Sequence, residues 1–355
     1  MLDLILNRVS RLPVLLIVTF RPEFQHGWSG QPHVTVMALN RLGGREGAAL
    51  VERLAGNVGL SQEIVGEIVE RADGVPLFVE ELTKAVLESG DRNAMLAASP
   101  SPALSIPATL HASLIARLDR LGPIAKEIGQ IGAVLGREFG YDLIEPVAQR
   151  PDVELRLGLD RLAEAGLLFC RGVPPQSSYL FKHALVQDAA YSTLLRARRL
   201  ELHGRVAAVL KQYFADLVDR QPELLAHHLT AAGDNKRAIE QWLRAGQHAI
   251  RRSANTEGIA HLTRGLEALR TQPPTDAPSR IELELLLALG PTLSATRGWS
   301  APEAERAYRD AERLASAAGR EVRAVTRCAI GVGTTPNSCK LPGPVATVSC
   351  SISST

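Results

Sequence analysis

The run Pro13-Val-Leu-Leu-Ile-Val-Thr-Phe20 constrains this chain most, because a continuous apolar, β-branched stretch of that length suits a strand covered on both faces. Such a strand needs neighbours. A second candidate, His33–Leu39, is shorter and more polar, and two strands do not make a stable covered sheet. The N-terminal region therefore reads as an incomplete α/β sheet whose other strands come from elsewhere. With 355 residues the chain has bulk for two or three domains, so the shortage is local.

Around this run the texture is helical. Met1–Val9 is a short amphipathic segment, Gly44–Ala55 carries an apolar stripe, and Gln62–Arg71 places Ile64, Val65, Ile68 and Val69 at spacings of three and four. Pro76, after Gly74-Val75, fits the first turn of a helix that continues through Leu77–Glu88, since a proline there sacrifices no helical hydrogen bond. Residues 89–106, rich in Ala, Ser and Pro, read as a linker. Beyond it, Pro107–Leu121, Gly122–Leu135, Tyr141–Ala148 and Val153–Ala165 are helix candidates, the last ending at Gly166. Leu167–Cys170 and Ser178–Phe181 are short strands around a turn-rich insertion. Helices followed by a hairpin suggest a winged helix, yet Asp152, Glu154, Asp160 and Glu164 outnumber Arg156 and Arg161 and would repel phosphates.

From residue 183 the pattern becomes an array. His183–Arg196, Leu200–Tyr213, Pro222–Leu229, Lys236–Arg251, Glu257–Leu269, Ile281–Leu289 and Pro302–Ala318 are helices separated by short breaks. The fragments NKRAIEQWLRAGQHAI and NTEGIAHLTRGLEAL share an alanine-and-leucine pattern that fits antiparallel pairs in a tetratricopeptide-like solenoid, with an irregular helical domain as the rival reading. Residues 331–355 have almost no charge and no credible helix, and read as an irregular or disordered tail.

The 40 basic and 38 acidic side chains nearly cancel, which argues against general attraction to nucleic acid or anionic lipid. Four cysteines without zinc-like spacing fit a reducing cytoplasm, and Leu12–Phe20 is too short to span a bilayer. No GxxxxGK[ST] phosphate loop occurs, no Ser, Cys or Thr sits in a nucleophile elbow, and adjacent His227 and His228 do not face one point on a helix as metal ligands would. The most suggestive small constellation is Thr19-Phe20-Arg21-Pro22-Glu23 at the C-terminal end of the expected strand. There the Arg21 guanidinium could bind terminal phosphate oxygens, or simply cap the fold or pair with Glu23.

Five blocks in order, Pro13–Glu23, Leu39-Asn-Arg-Leu42, Gly74-Val-Pro-Leu-Phe-Val-Glu-Glu-Leu82, Ser105-Ile-Pro-Ala-Thr-Leu110 and Phe181-Lys-His-Ala-Leu-Val-Gln-Asp-Ala-Ala-Tyr191, resemble the signal-transduction ATPases with numerous domains. The branch most similar is the AAA-like bacterial regulatory type, often fused behind a class III adenylate or guanylate cyclase domain. The resemblance implies a mainly α chain. It would hold a remnant of a P-loop-type α/β domain over 1–43, a small helical lid domain over 44–90, a linker over 91–106, a winged helix over 107–182 and a TPR-like α-solenoid over 183–330. It also implies ATP with Mg2+ as the cofactor of the complete family protein, Arg21 as a sensor of the γ-phosphate, and Pro76 as the Gly-x-Pro proline near adenine, with Phe78 and Leu82 holding its helix. The family keeps its phosphate loop and acidic metal-binding strand ahead of the equivalent of Met1, and neither motif is in this sequence. The chain is thus expected to be a regulatory fragment without ATPase or cyclase activity. Its partners would be an N-terminal ATPase or cyclase segment and a protein bound by the repeats. A protein–protein adapter and a DNA-binding regulator acting through the winged helix are the alternatives.

Overall fold

Residues 2–9, 12–20, 24, 27, 28, 30–88, 109–272, 280–298 and 300–317 are described by the structure, a computed structural model. Arg21, the linker 91–106 and the tail 331–355 lie outside them. The chain divides into two units, Met1–Ser113 and Leu114–Thr355.

In the first unit, α1 (Leu2–Val9) precedes three helices that share one core: α2 (Gly44–Ala55), α3 (Gln62–Ala72) and α4 (Pro76–Glu88). Val51, Ile64, Val65, Ile68, Val79, Leu82 and Val86 are buried together. Burial of each such side chain stabilises by roughly 1.5–3 kcal/mol, enough to hold helices of only 11–13 residues that would be marginal alone. The Ser61 hydroxyl accepts from the Ile64 N–H at the start of α3.

The two strand expectations fail here. Residues 13–20 and 33–39 run without regular structure and pair with no strand among the described residues. Leu15 is 84% exposed, Ile17 75% and Leu39 93%. The physical reason is the shortage of neighbours: with no adjacent ladder, neither backbone hydrogen bonds nor a covered face can hold these segments as strands.

The helix α5 (Leu110–Arg120) begins in the last residues of the first unit and runs into the second, which continues with α6 (Pro123–Leu135), β1 (Glu138–Gly140), α7 (Tyr141–Ala148), α8 (Asp152–Glu164), β2 (Leu168–Arg171) and β3 (Ser178–Phe181). The sheet is antiparallel in the order β1-β3-β2, with Phe139 opposite Tyr179 and Leu168 opposite Phe181. Phe139 is the hub of its apolar face, with ring centroids 5.8 Å from Tyr179 and 6.0 Å from Phe181. The helix α8 ends as its glycine requires: Gly166 adopts φ +66°, its N–H donates to Ala163 O, and Leu167 N–H donates to Leu162 O. The Glu127 carboxylate joins Arg150, which precedes α8, to Arg198 of the following helical region.

Then come α9 (Ala184–Ser192), α10 (Arg196–Tyr213), α11 (Ala215–Arg220), α12 (Pro222–Ala231), α13 (Asn235–Arg251), α14 (Asn255–Arg270), α15 (Arg280–Arg297) and α16 (Pro302–Ala317). From α12 onward each helix packs on the next, and α13 also reaches α15. Ile239, Leu243, Leu262, Leu266, Leu285, Leu289, Leu293 and Tyr308 belong to one continuous core through α13–α16. The helix α15 overruns its expected end at Leu289 and passes through Pro291. An interior proline costs about 3 kcal/mol, and burial of Leu289 and Leu293 in the core shared with Tyr308 of α16 offsets it. Among the described residues no helix is long and apolar enough to cross a membrane. Among the described residues the chain is thus predominantly α-helical, with one small sheet and a stack of helices from α12 to α16.

Candidate functional site

Two of the blocks singled out in the sequence meet in space. Asp73 and Gly74 take left-handed backbone conformations at the end of α3, with φ of +46° and +69°, and Pro76 then begins α4. The Gly74 carbonyl accepts the Leu42 N–H at 2.8 Å. Arg41 donates to the Asp73 carbonyl at 3.3 Å and pairs with its carboxylate. A Cβ at position 74 would lie 2.5 Å from the Leu42 oxygen and 2.8 Å from Arg41 Cβ, so only glycine allows this approach. The clasp fixes the entry to α4. Its Arg41–Asp73 ion pair is largely exposed and contributes at most about 1 kcal/mol; the backbone bond and the glycine carry the geometry.

Pro76 sits in the first helical turn, as its position relative to Gly74 led one to expect, and its ring is exposed. Phe78 packs against the three-helix core and Leu82 is buried within it. Arg21 is outside the described residues. The clasp does not form a nucleotide site by itself: an exposed proline offers a face for a base, but nothing in a Gly-x-Pro turn cradles phosphates.

A second cluster lies in the other unit. His203 of α10 and His228 of α12 are 2% and 1% exposed, and their Nδ1 atoms are 2.9 Å apart. One Nδ1 must carry the hydrogen and the other must accept it. His203 Nε2 also shares a hydrogen bond of 3.1 Å with the Tyr191 hydroxyl. The chain Tyr191–His203–His228 therefore has two self-consistent neutral tautomer patterns, one donating in each direction. Burial pushes the His203 imidazole down to about 4, with His227 and Arg199 adding charge repulsion. His228 is pushed down to about 3, first by burial and then by His203 and His227. The guanidinium of Arg199 lies 4.7 Å from the Tyr191 ring centroid and donates to the Leu194 and Ser192 carbonyls, which fixes it beside the pair. The cluster joins α10 to α12 through a buried hydrogen bond between two imidazoles. Among the described residues no group of three or more His, Cys, Asp or Glu could hold a metal ion.

No family model matches the chain. An uncharacterized protein from Rhizobium meliloti (strain 1021) is 30% identical over 317 residues, covering 86% of this chain and 30% of that protein. The chain thus spans less than a third of the length of this curated relative. Among solved structures, a signal transduction ATPase with numerous domains and a tetratricopeptide repeat sensor, from Pyrococcus horikoshii, is remotely similar. It aligns over 79% of this chain and 42% of its own, at 13% identity and a TM-score of 0.33.

The sequence signals for these two clusters differ. Gly74 and Pro76 announce a turn and a helix start on their own, whereas the role of Arg41 and Leu42 depends on a contact 32 residues away. The adjacent pair His227-His228 is visible in the sequence, but the partner of His228 is 25 residues upstream. No spacing rule joins His203 and Tyr191 to it.

Proposed function

We propose that this chain is a regulatory, non-catalytic part of an ATP-dependent signalling protein, in which the stacked helices α12–α16 recognise a protein partner. The observation that carries the reading is the serial packing of these helices, with α13–α16 sharing one continuous core, as stacked repeats do. In this reading the stack is a TPR-like solenoid and residues 107–182 are a winged-helix module used for packing. Residues 44–90 are a lid whose Gly74–Pro76 turn, clasped by Leu42 and Arg41, would face adenine. Arg21 and Pro76 would then be the far side of an ATP–Mg2+ site whose phosphate loop another segment supplies. The output, as in the cyclase-fused proteins that the sequence resembles, would be cyclic-nucleotide or transcriptional signalling.

A direct DNA-binding role is disfavoured by α8, whose exposed residues set three carboxylates, Asp152, Asp160 and Glu164, against two guanidiniums, Arg156 and Arg161, beside the apolar Val153 and Leu157. That face suits a protein better than a phosphate backbone. The test is in-cell chemical cross-linking of the tagged full chain with the cross-linked positions mapped. Cross-links to another protein should concentrate within 222–317; cross-links confined to residues 1–113, or none to another protein, would overturn the reading.

A further inference from the structure

Between α14 and α15 runs an open cleft of about 450 Å³. We propose that it takes a linear acidic peptide segment of a partner protein, with two of the peptide's carboxylates pairing with Arg264 and Arg297. The proposal rests on the reading that the helical stack binds a protein, and adds the chemistry of the segment bound.

The first observation is a guanidinium held ready without an acidic partner. Arg264 lines the cleft, and its guanidinium carbon stands 5.3 Å from the centroid of the Trp242 ring. That ring is itself fixed: Trp242 is 3% exposed, its indole N–H donates to Thr230 Oγ1 at 3.0 Å, and His261 stacks on it with centroids 5.5 Å apart and planes 24° apart. Arg264 forms no ion pair among the described residues, even though Glu267 lies one turn further along the same helix. A guanidinium stacked on an aromatic ring has already lost much of its rotamer freedom, so less is lost when it binds a carboxylate.

The second observation is the charge and shape of the lining. Arg297, at the end of α15, pairs with Glu303 at 2.9 Å, but both side chains are about half exposed, so an incoming carboxylate can share or replace that weak contact. Two guanidiniums and one carboxylate, Glu267, line the cleft, and Glu303 meets Arg297 from outside the lining. Ile259 and Ala260 give an apolar stretch for an aliphatic side chain. The hydroxyls of Thr263 and Thr296 donate to the carbonyls of Ile259 and Thr292, which leaves their lone pairs to accept peptide N–H groups.

The third observation is length. The lining runs along α14 from Thr256 to Glu267, about 16 Å at ~1.5 Å per residue. That accommodates about five extended residues at ~3.3 Å each and is long for a compact metabolite. Thr296 and Arg297 line the same cleft as Thr256, at the far end from Glu267, as antiparallel helices require. The two arginines are then about 12 Å apart along the cleft, the reach between carboxylates at the first and fifth positions of an extended pentapeptide.

The experiment uses the full chain and dye-labelled, acetylated and amidated pentapeptides with Glu at positions 1 and 5 and randomised aliphatic residues between. A matched set carries Gln at both ends, and binding is read by fluorescence anisotropy. The Glu set should bind at least tenfold more tightly than the Gln set, weaken as NaCl rises from 50 to 300 mM, and resist competition by free glutarate at equal concentration. Arg264→Gln should weaken binding at least tenfold and Arg297→Gln severalfold. Arg264→Met, which keeps the stem on Trp242 without the charge, should match Arg264→Gln while melting like the parent. Equal affinity of the two sets, absence of binding by both, unchanged binding by Arg264→Met, or equal competition by glutarate or a short oligonucleotide would overturn the proposal. Partner cross-links on 222–317 that persist in Arg264→Met would leave the broader reading standing while removing this one.

Discussion

The buried imidazole pair shows how much a single proton decides. With both rings neutral, His203 and His228 share one hydrogen between their Nδ1 atoms; with both charged, two N–H groups would face each other across 2.9 Å. Both groups have folded-state values below the ordinary 6.5, about 4 and about 3. Unfolding therefore takes up protons between those values and 6.5, so the stability they contribute is complete above pH 6.5 and is lost as pH falls below it. Each titrating group changes stability by up to ~1.4 kcal/mol per pH unit. Between pH 6.5 and 5 the denaturation midpoint of the second unit should fall, and doing the same titration on the His203→Leu/His228→Leu double variant should give a visibly flatter profile. Equal slopes for the two proteins would remove the pair from the account. Single replacement should cost more than the double at neutral pH, since it leaves one buried Nδ1 without a partner.

At the scale of elements, the fold was most legible where periodicity and punctuation agreed. Gly44–Ala55, Tyr141–Ala148 and Ser178–Phe181 have the bounds read from their residues, and Pro76 starts its helix. The three-residue strand β1 and the six-residue helix α11 were missed because neither is long enough to show a period. Pro291 hid the second half of α15, since the tertiary packing that offsets an interior proline is not a local property. Pro13–Phe20 misled in the opposite sense: its composition states a preference for a strand, and a strand also needs a neighbour. Helix contacts make a sharper claim. A Cβ at Gly246 would stand 2.5 Å from Leu262 Cγ in the wholly buried α13–α14 contact, while one at Gly204 of α10 would meet nothing nearer than 3.9 Å. The two substitutions to alanine should have opposite signs, with Gly246→Ala losing about 1–3 kcal/mol by overpacking and Gly204→Ala gaining about 0.5–1 kcal/mol of helix propensity. Urea denaturation of the two variants reads both.

For the whole molecule, the candidate site was only partly legible. The Gly74–Pro76 turn was visible and its clasp with Arg41 and Leu42 was not. Arg264 gave no signal, because an exposed arginine on an amphipathic helix is ordinary until its Trp242 support and lack of a carboxylate are seen. What unites the molecule is a division of labour. Apolar burial is concentrated in helical cores, while the residues proposed to meet a nucleotide are an exposed proline suited to a base and Arg21, with no phosphate loop in the sequence to complete them. The amides and lysine of such a loop supply most of the contacts to β- and γ-phosphates, so the chain alone should not hold nucleotide. Calorimetric titration of Mg·ATP into the full chain tests this most directly. The account predicts no binding tighter than about 1 mM, equivalent to about −4.1 kcal/mol; a saturable, stoichiometric isotherm with micromolar affinity would contradict it.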